Sequence, residues 1–412
     1  MITRNITDRI LDSLADTPVV LLNGARQVGK STLVLKIAAD HHHARYLTLD
    51  DAVILAAARF DAAGFLSGLE GPVVIDEVQR APQLFQAIKA SVDRDRRPGR
   101  FLLTGSADVM LLPKVSESLA GRMEIHTLWP FSQGEISAVK ETFIDRLFTE
   151  SNEFQILPHS DVRPLDVAER VAIGGYPEMI KRSGESRRAS WYGSYITTIL
   201  QRDIRELANI EGLTDMPRIL SLVAARASSL VNFAELSRSA GMPQSTLKRY
   251  MALLEAAFLI RTIPPWSGNL SNRLVKSPKL ILTDTGLAAY LMGVNRAGLR
   301  SNRTAFGQIL ENFVVMELMK QAAWSEVSPS INHFRSHTGQ EVDIILERRD
   351  GTCVGIEVKA SETVGPGDFK GLRALADLLG PKFVRGVVLY SGRETVPFAG
   401  SMHAVPTEAL FR

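Results

Sequence analysis

A single cysteine, Cys353, stands in a chain of 412 residues. One thiol excludes an intrachain disulfide and a cysteine-rich zinc centre, and it fits a reducing compartment. Long apolar runs are missing too. No stretch reaches the roughly 18 uncharged apolar residues that a membrane-spanning helix needs. The opening segment "MITRNITDRILDSLAD" carries charges at helical spacing and no unbroken apolar core, so it does not read as a secretory signal. These absences lead us to expect a cytoplasmic protein with no membrane partner. A strong charge of one sign is also lacking: 48 Lys and Arg face 45 Asp and Glu, a net charge of +3. That balance neither requires nor excludes a nucleic-acid partner, because local clustering decides the matter. There is no internal repeat and no low-complexity tract.

What is present is ordinary for a globular protein, with 45% hydrophobic and 23% charged residues. The length favours two to four domains. Residues 6–15 predict a short amphipathic helix with Ile6, Ile10, Leu11 and Leu14 on one face. "PVVLLNG" is apolar without alternation, as expected of a strand buried on both sides. Further short strands are predicted in "RYLTLD", "GPVVIDE", "GRFLLTGS" and "MEIHTL", with helical stretches between them. Strands alternating with helices imply an α/β unit built on a parallel sheet.

"GARQVGKS", Gly24 to Ser31, fits the phosphate-loop pattern and stands between a strand and a helix. Glycines let backbone amides turn inward around phosphates, and the helix start favours negative charge. Gly24, Ala25, Arg26, Gln27, Val28, Gly29, Lys30, Ser31 and Thr32 are therefore the candidate ATP-binding residues. Lys30 is placed to reach the terminal phosphates and Ser31 to ligate Mg2+. "VVIDE" ends a buried strand in Asp76, a candidate second Mg2+ ligand, and Glu77, placed to polarise the attacking water. "FLLTGS" ends in Thr104 and Ser106. If that strand lies between the two motif strands, either hydroxyl is positioned to orient the water; the plainer reading is a strand cap. Arg122 precedes "MEIHTL", where ring-forming ATPases place an arginine that reaches a neighbour's phosphate; the plainer reading is a surface arginine.

"GARQVGKSTLV", "VVIDEVQRAPQLF", "FLLTGSAD", "LAGRMEIHTLWPFSQGE" and "GGYPEMI" together resemble a widespread prokaryotic family of AAA-type ATPases that carry a C-terminal domain of unknown function. The resemblance spans nearly the whole chain. It implies phosphate and Mg2+ roles for Lys30 and Ser31, Mg2+ and water roles for Asp76 and Glu77, and a sensor at Thr104 or Ser106. "YITTILQRDI" also resembles a family segment, in which Arg202 would contact the nucleotide from a lid. The position of Arg122, from which it could reach a neighbour's nucleotide, leads us to expect a homo-oligomer.

Beyond residue 155 the pattern changes. Residues 161–212 read as helices interrupted by "GGYP", and 216–262 as helices containing "NFAELSRSAGMPQSTLKRYMALLEAAFLI". Two helices joined by a Gly-Met-Pro turn form a helix-turn-helix shape. Gln244, Ser245, Thr246, Lys248 and Arg249 would line its outer face. Those residue types suit DNA contact, but such lids also pack only against protein neighbours. We expect an ATPase core at 1–155, a helical lid at 156–215, a winged helix at 216–295 and a small α/β domain at 296–412.

That last domain reads helix–strand–strand–strand–helix–strand and resembles the PD-(D/E)xK nuclease fold. Asp343 in "EVDIILE" and Glu357 and Lys359 in "GIEVKAS" carry the resemblance, and Glu311 in "ILENFVVMEL" completes a possible metal cluster. Hard oxygens gathered at a sheet edge suit a divalent cation. The alternative is a buried ion-pair network in a binding domain derived from a nuclease. "HHH" at 41–43 is expected to be a solvated loop, since adjacent side chains diverge; His126 is expected to be structural, and Trp191, Tyr192 and Tyr195 to pack the lid. Three functions are open: an ATP-hydrolysing machine acting on or near nucleic acid, an ATP-gated DNA-binding switch with little turnover, and an ATP-licensed metal-dependent nuclease.

Overall fold

A computed structural model describes residues 2–106, 119–149, 166–207, 213–268, 277–336 and 339–412. The first unit is a five-stranded sheet of β1 (Val19–Asn23), β2 (Arg45–Thr48), β3 (Val73–Asp76), β4 (Phe101–Gly105) and β5 (Met123–Thr127). Every pair is parallel and the order is β2-β3-β4-β1-β5. Alternate residues feed two cores. Val20, Leu22, Val74 and Leu102 pack with Ile10 and Leu14 of the helix Thr7–Asp16 and with Val34 and Ile37 of the helix Lys30–Ile37. Val19, Leu21, Ile75 and Leu103 pack with Phe85 and Ile88 of the helix Leu84–Arg94. Covering both faces is why β1, β3 and β4 are apolar up to their C-terminal ends and buried along their whole length. β5 lies at an edge and is partly exposed. Phe85 is fully buried, and its truncation to Ala would cost about 3–5 kcal/mol.

Helices Val167–Ile173, Pro177–Lys181 and Glu185–Thr198 follow. Pro177 opens the second of them, where a missing N–H costs nothing. The "GGYP" turn before it is tightly fitted. The Phe131 N–H donates to Gly175 O at 2.8 Å, and a Cβ on Gly175 would lie 2.3 Å from Phe131 O.

Next come Met216–Ala224, Phe233–Ala240 and Gln244–Ala256. Asn232 caps the second by accepting from Glu235 N at 3.1 Å. Gly241, at φ 67, ends it and allows the tight turn into the third. An antiparallel pair follows, β6 (Ile260–Ile263) with β7 (Lys279–Leu282).

The C-terminal unit begins with the helix Arg303–Ala322, capped by Asn302. Its sheet holds β8 (Ser330–Arg335), β9 (Glu341–Glu347), β10 (Cys353–Lys359), β11 (Phe383–Tyr390), β12 (Val396–Ala399) and β13 (Met402–Pro406) in the order β12-β13-β11-β10-β9-β8. β10–β11 and β11–β13 are parallel and the other pairs antiparallel. The sequence reading stops at β11. β12 and β13 escape it because they are short, and Pro397 suits only an edge.

The β6–β7 pair is bonded to this unit. Asn312 accepts from Leu282 N and donates to Leu282 O, both at 2.8 Å. His333 N donates to Pro264 O at 3.0 Å, and Trp266 Nε1 reaches Glu347 at 3.1 Å. The Arg303–Ala322 helix also docks on the first unit. Its fully buried Glu317 accepts from Gln133 N at 2.9 Å, and Lys320 donates to Phe131 O at 3.0 Å. No helix among the described residues is long and apolar enough to cross a membrane.

Candidate functional site

The loop after β1 is fixed from below. Ala25 and Val28 are fully buried. Gly24 has φ 145, and a Cβ there would fall 2.2 Å from Leu128 O, so no other residue fits. Gly29, at φ 99, precedes the helix Lys30–Ile37. The buried Lys30 ammonium donates to Gly24 O and Ala25 O, each at 2.9 Å. It therefore closes the loop with its own charge, at the mouth where phosphates would be held. Arg26 is half-buried; Gln27, also at positive φ, and Thr32 are exposed.

β4 lies between β1 and β3, and this puts its polar end against both motifs. Ser31 Oγ donates to Asp76 Oδ1 at 3.1 Å, and Thr104 Oγ1 donates to the same oxygen. Tyr46 OH, from β2, donates to Asp76 Oδ2 at 2.7 Å. Burial, then the bond to Asp76, pushes the Tyr46 phenol up, so it stays a donor. Asp76 is thus held by three hydroxyls. Glu77 N donates to Thr104 Oγ1 at 3.0 Å, and Ser106 Oγ donates to Glu77 Oε2 at 3.0 Å. Glu77 sits at φ 60, a left-handed conformation uncommon for a side chain of this size, which turns its carboxylate out of the strand. The Ser31 hydroxyl and the Asp76 carboxylate are hard oxygens side by side, which fits Mg2+ held mainly by phosphate and water.

A cleft of about 1000 Å3 adjoins the loop. Val28, Gly29, Thr32 and Lys36 form one wall, Ile2, Thr3, Arg4, Asn5, Thr7 and Asp8 a second, and Phe131, Pro177, Ile180 and Lys181 a third. Sequence reasoning missed this wall of "GGYP". Tyr195, assigned there to lid packing, also donates to Arg26 O at 3.2 Å and bonds Tyr176 OH at 2.9 Å. Trp191 stacks on Tyr195 with ring centroids 4.8 Å apart. Asp284 ties these parts together: it accepts from Gly175 N at 2.7 Å and from Tyr192 OH at 2.8 Å. Arg202 is exposed in the turn Ile199–Asp203.

Arg122 precedes β5 at the sheet edge opposite the loop, the length of β1 away, roughly 16 Å at 3.3 Å per residue. Its guanidinium is bound to Asp93 at 2.5 Å. It cannot serve the loop of its own chain. His42 Nε2 bonds Gly99 O at 2.7 Å and His126 Nε2 bonds Ser13 Oγ at 2.8 Å, so both are engaged in packing. On the third helix of the middle unit, Gln244, Ser245, Lys248 and Arg249 are exposed and Thr246 is half-buried. The Lys248 ammonium lies 5.2 Å from the Phe233 ring centroid.

In the C-terminal unit, Asp343 on β9 and Glu357 on β10 lie one step beyond the paired residues Ile344 and Ile356. Asp343 Oδ2 accepts from Val358 N at 3.0 Å, and Lys359 donates to Glu357 at 3.1 Å. A fifth residue completes the cluster. Lys279, on β7, places its buried ammonium 2.5 Å from Glu311 and 3.3 Å from Asp343 Oδ1. Burial, with the neighbouring Asp343, pushes Glu311 and Glu357 up to about 8. Burial opposes the charge on Lys279, but Asp343 and Glu311 outweigh it and the lysine stays charged. Three carboxyls thus face two ammonium groups, and crowding of that charge in a buried site adds to the burial that raises Glu311 and Glu357. Among the described residues no group of three His, Cys, Asp or Glu is arranged to hold a metal ion. The cluster as it stands does not fit a divalent metal, because a lysine occupies its centre.

Comparison with known proteins agrees with this layout. Residues 16–137 match an AAA domain, 165–298 a domain of unknown function (DUF8612) and 306–410 a second one (DUF4143). The chain is 32% identical over 409 residues to the uncharacterized protein Rv2008c of Mycobacterium tuberculosis, covering 99% of this chain and 84% of that protein. An uncharacterized protein of Haemophilus influenzae is 22% identical over 379 residues, covering 85% of each. Among solved structures, the Thermotoga maritima RuvB Holliday junction branch migration motor aligns with TM-score 0.31 and 18% identity, over 63% of this chain and 89% of its own. The loop, the strand order and the mycobacterial relative carry the assignment: the chain belongs to the family of Rv2008c, whose N-terminal part is an AAA domain of P-loop ATPase type.

Proposed function

We propose that this protein binds ATP with Mg2+ at the loop Gly24–Thr32 and hydrolyses it with Glu77 as base. The observation that carries the reading is the joined network of Ser31, Asp76, Thr104, Glu77 and Ser106 beside a closed phosphate loop. On binding, phosphate oxygens replace the carbonyls of Gly24 and Ala25 as partners of Lys30. Ser31 and Asp76 would hold Mg2+, which would neutralise phosphate charge there. Glu77 takes the proton of the attacking water, and Thr104 holds the Glu77 backbone in register. The adenine occupies the neighbouring cleft, where Pro177 and Ile180 offer an apolar wall. Tyr195 and Asp284 connect loop, lid and the β6–β7 pair, so nucleotide state can reposition them. The test is ATP affinity and turnover in the intact chain, in Lys30→Ala and in Glu77→Gln.

We read the units as an ATPase core at 1–155, a lid at 156–215, a winged helix at 216–295 and a nuclease-like domain at 296–412. Arg122, remote from its own loop, suits a contact with the nucleotide of a neighbouring subunit in a homo-oligomer. The exposed Gln244, Ser245, Lys248 and Arg249 favour a second role in DNA contact. Lys279 within the carboxylates favours a binding platform over a metal-dependent nuclease. An ATP-gated switch with little turnover is the rival, and a steady-state rate with and without DNA separates the two.

A further inference from the structure

The turn after β3 carries a residue that the ATPase reading leaves without a task. Gln79 lies in the short turn Val78–Arg80, and its Nε2 donates to Glu77 Oε2 and to Ser106 Oγ, the latter at 2.9 Å. Ser106 Oγ in turn donates to Glu77 Oε2 at 3.0 Å. A carboxylate normally rotates freely about its last torsion. Here two donors grip one oxygen from two elements, which fixes the plane of the carboxylate. Both bonds fall on Oε2, and Oε1 takes none from the described residues. Gln79 Oε1 is itself buried and has no hydrogen-bond partner among the described residues. An acceptor of this kind carries a desolvation cost until a donor arrives. Glu77 Oε1 is the oxygen of that carboxylate left to take a proton.

The turn does not depend on Gln79 for its shape. Arg80 is paired with Asp50 at 2.5 Å, and Arg80 O accepts from Arg59 Nε at 3.1 Å and Nη2 at 2.9 Å. Ala81 N closes the turn on Val78 O at 3.1 Å. The amide of Gln79 is therefore available for chemistry.

We infer that Gln79 is a positioning residue for ATP hydrolysis: its amide N–H, together with Ser106, locks the Glu77 carboxylate that takes the proton of the attacking water. This rests on the ATPase reading above. In the step itself, the water oxygen bonds to the γ-phosphorus while the bond from that phosphorus to the β,γ-bridging oxygen breaks. The electron pair leaves with ADP. One water proton passes to Glu77 Oε1, and the other stays on the new phosphate oxygen. Orientation of this sort acts on the chemical step and leaves nucleotide affinity alone.

The experiment compares the full-length protein with Gln79→Ala, Ser106→Ala, Glu77→Gln and the double variant Glu77→Gln/Gln79→Ala. It measures Mg-ATP turnover and the affinity for a fluorescent ATP analogue. Gln79→Ala should lower kcat on the order of tenfold with KM and affinity within twofold of the parent. Ser106→Ala should do the same, since it removes the other donor. In the Glu77→Gln background, Gln79→Ala should cause no further loss, because the group it positions is gone. Full turnover in Gln79→Ala overturns the inference. So does a loss carried by KM, or a double variant in which the two losses multiply. A wild-type protein that binds ATP and never turns it over overturns the ATPase reading as well, which separates the two failures.

Discussion

Replacing Lys279 by Met removes the ammonium at the centre of the C-terminal carboxylates while keeping the length of the side chain. The lysine is buried and touches both Glu311 and Asp343. Removing one partner of a buried ion pair costs about 3–5 kcal/mol. The loss must depend on pH, because a proton can stand in for the missing charge. In the parent, burial holds Glu311 and Glu357 at about 8, above the ordinary 4.5. A carboxyl raised in the folded state contributes stability that is fully present below its unfolded value and lost as pH rises through the folded one. The parent should therefore lose stability between about pH 5 and 8. Without the ammonium the three carboxyls hold one more proton between them than in the parent, so the deficit should grow by about 1.4 kcal/mol for each added pH unit. Between pH 6 and pH 8 that amounts to about 3 kcal/mol. Urea unfolding followed by tryptophan fluorescence reads it directly, since Trp266 packs against Phe334 in this unit. A deficit below about 1 kcal/mol at pH 8, or one that is the same at both pH values, would refute the charge count.

Tyr46→Phe removes one of the three hydroxyls on Asp76; it should raise the Mg2+ needed for half-maximal turnover several-fold, about 1 kcal/mol, and an unchanged Mg2+ titration counts against it. Arg122→Ala should leave nucleotide affinity intact and lower turnover on the order of a hundredfold or more, with parental turnover per protomer rising with protein concentration. Sedimentation of a monomer with normal turnover at every concentration contradicts that assembly. For DNA, Lys248→Ala and Arg249→Ala should each reduce the slope of log affinity against log salt by about 0.9; a parent with no measurable affinity at low salt removes the DNA role.

The first unit was legible because its signals are local. The loop, the strand before it and the acids ending β3 each occupy a few adjacent residues, and buried parallel strands have an apolar signature of their own. The placement of Thr104 and Ser106 needed only that β4 lie between β1 and β3, as it does. What stayed hidden depends on distant parts meeting. Tyr46 looks like one more residue of an edge strand until β2 pairs with β3. Thr3, Arg4 and Pro177 line the same cleft only through tertiary packing. Lys279 stands 64 residues before Asp343, on a strand that periodicity assigns to a different unit. A lysine in a strand reads as solvated; only the β6–β7 pair, bonded to β8 and to Asn312, carries it into the cluster. Composition near residue 295 marks a linker but not the contacts that bridge it.

The central claim is ATP bound at Lys30 and hydrolysed through Glu77. Its most direct measurement is nucleotide affinity and phosphate release, side by side, for the parent, Lys30→Ala and Glu77→Gln, each confirmed as folded. The account predicts that the parent binds and turns over, that Lys30→Ala loses affinity, and that Glu77→Gln binds as tightly as the parent while releasing phosphate at least about a hundredfold more slowly. Equal affinity in Lys30→Ala, or parental phosphate release from Glu77→Gln, would contradict it.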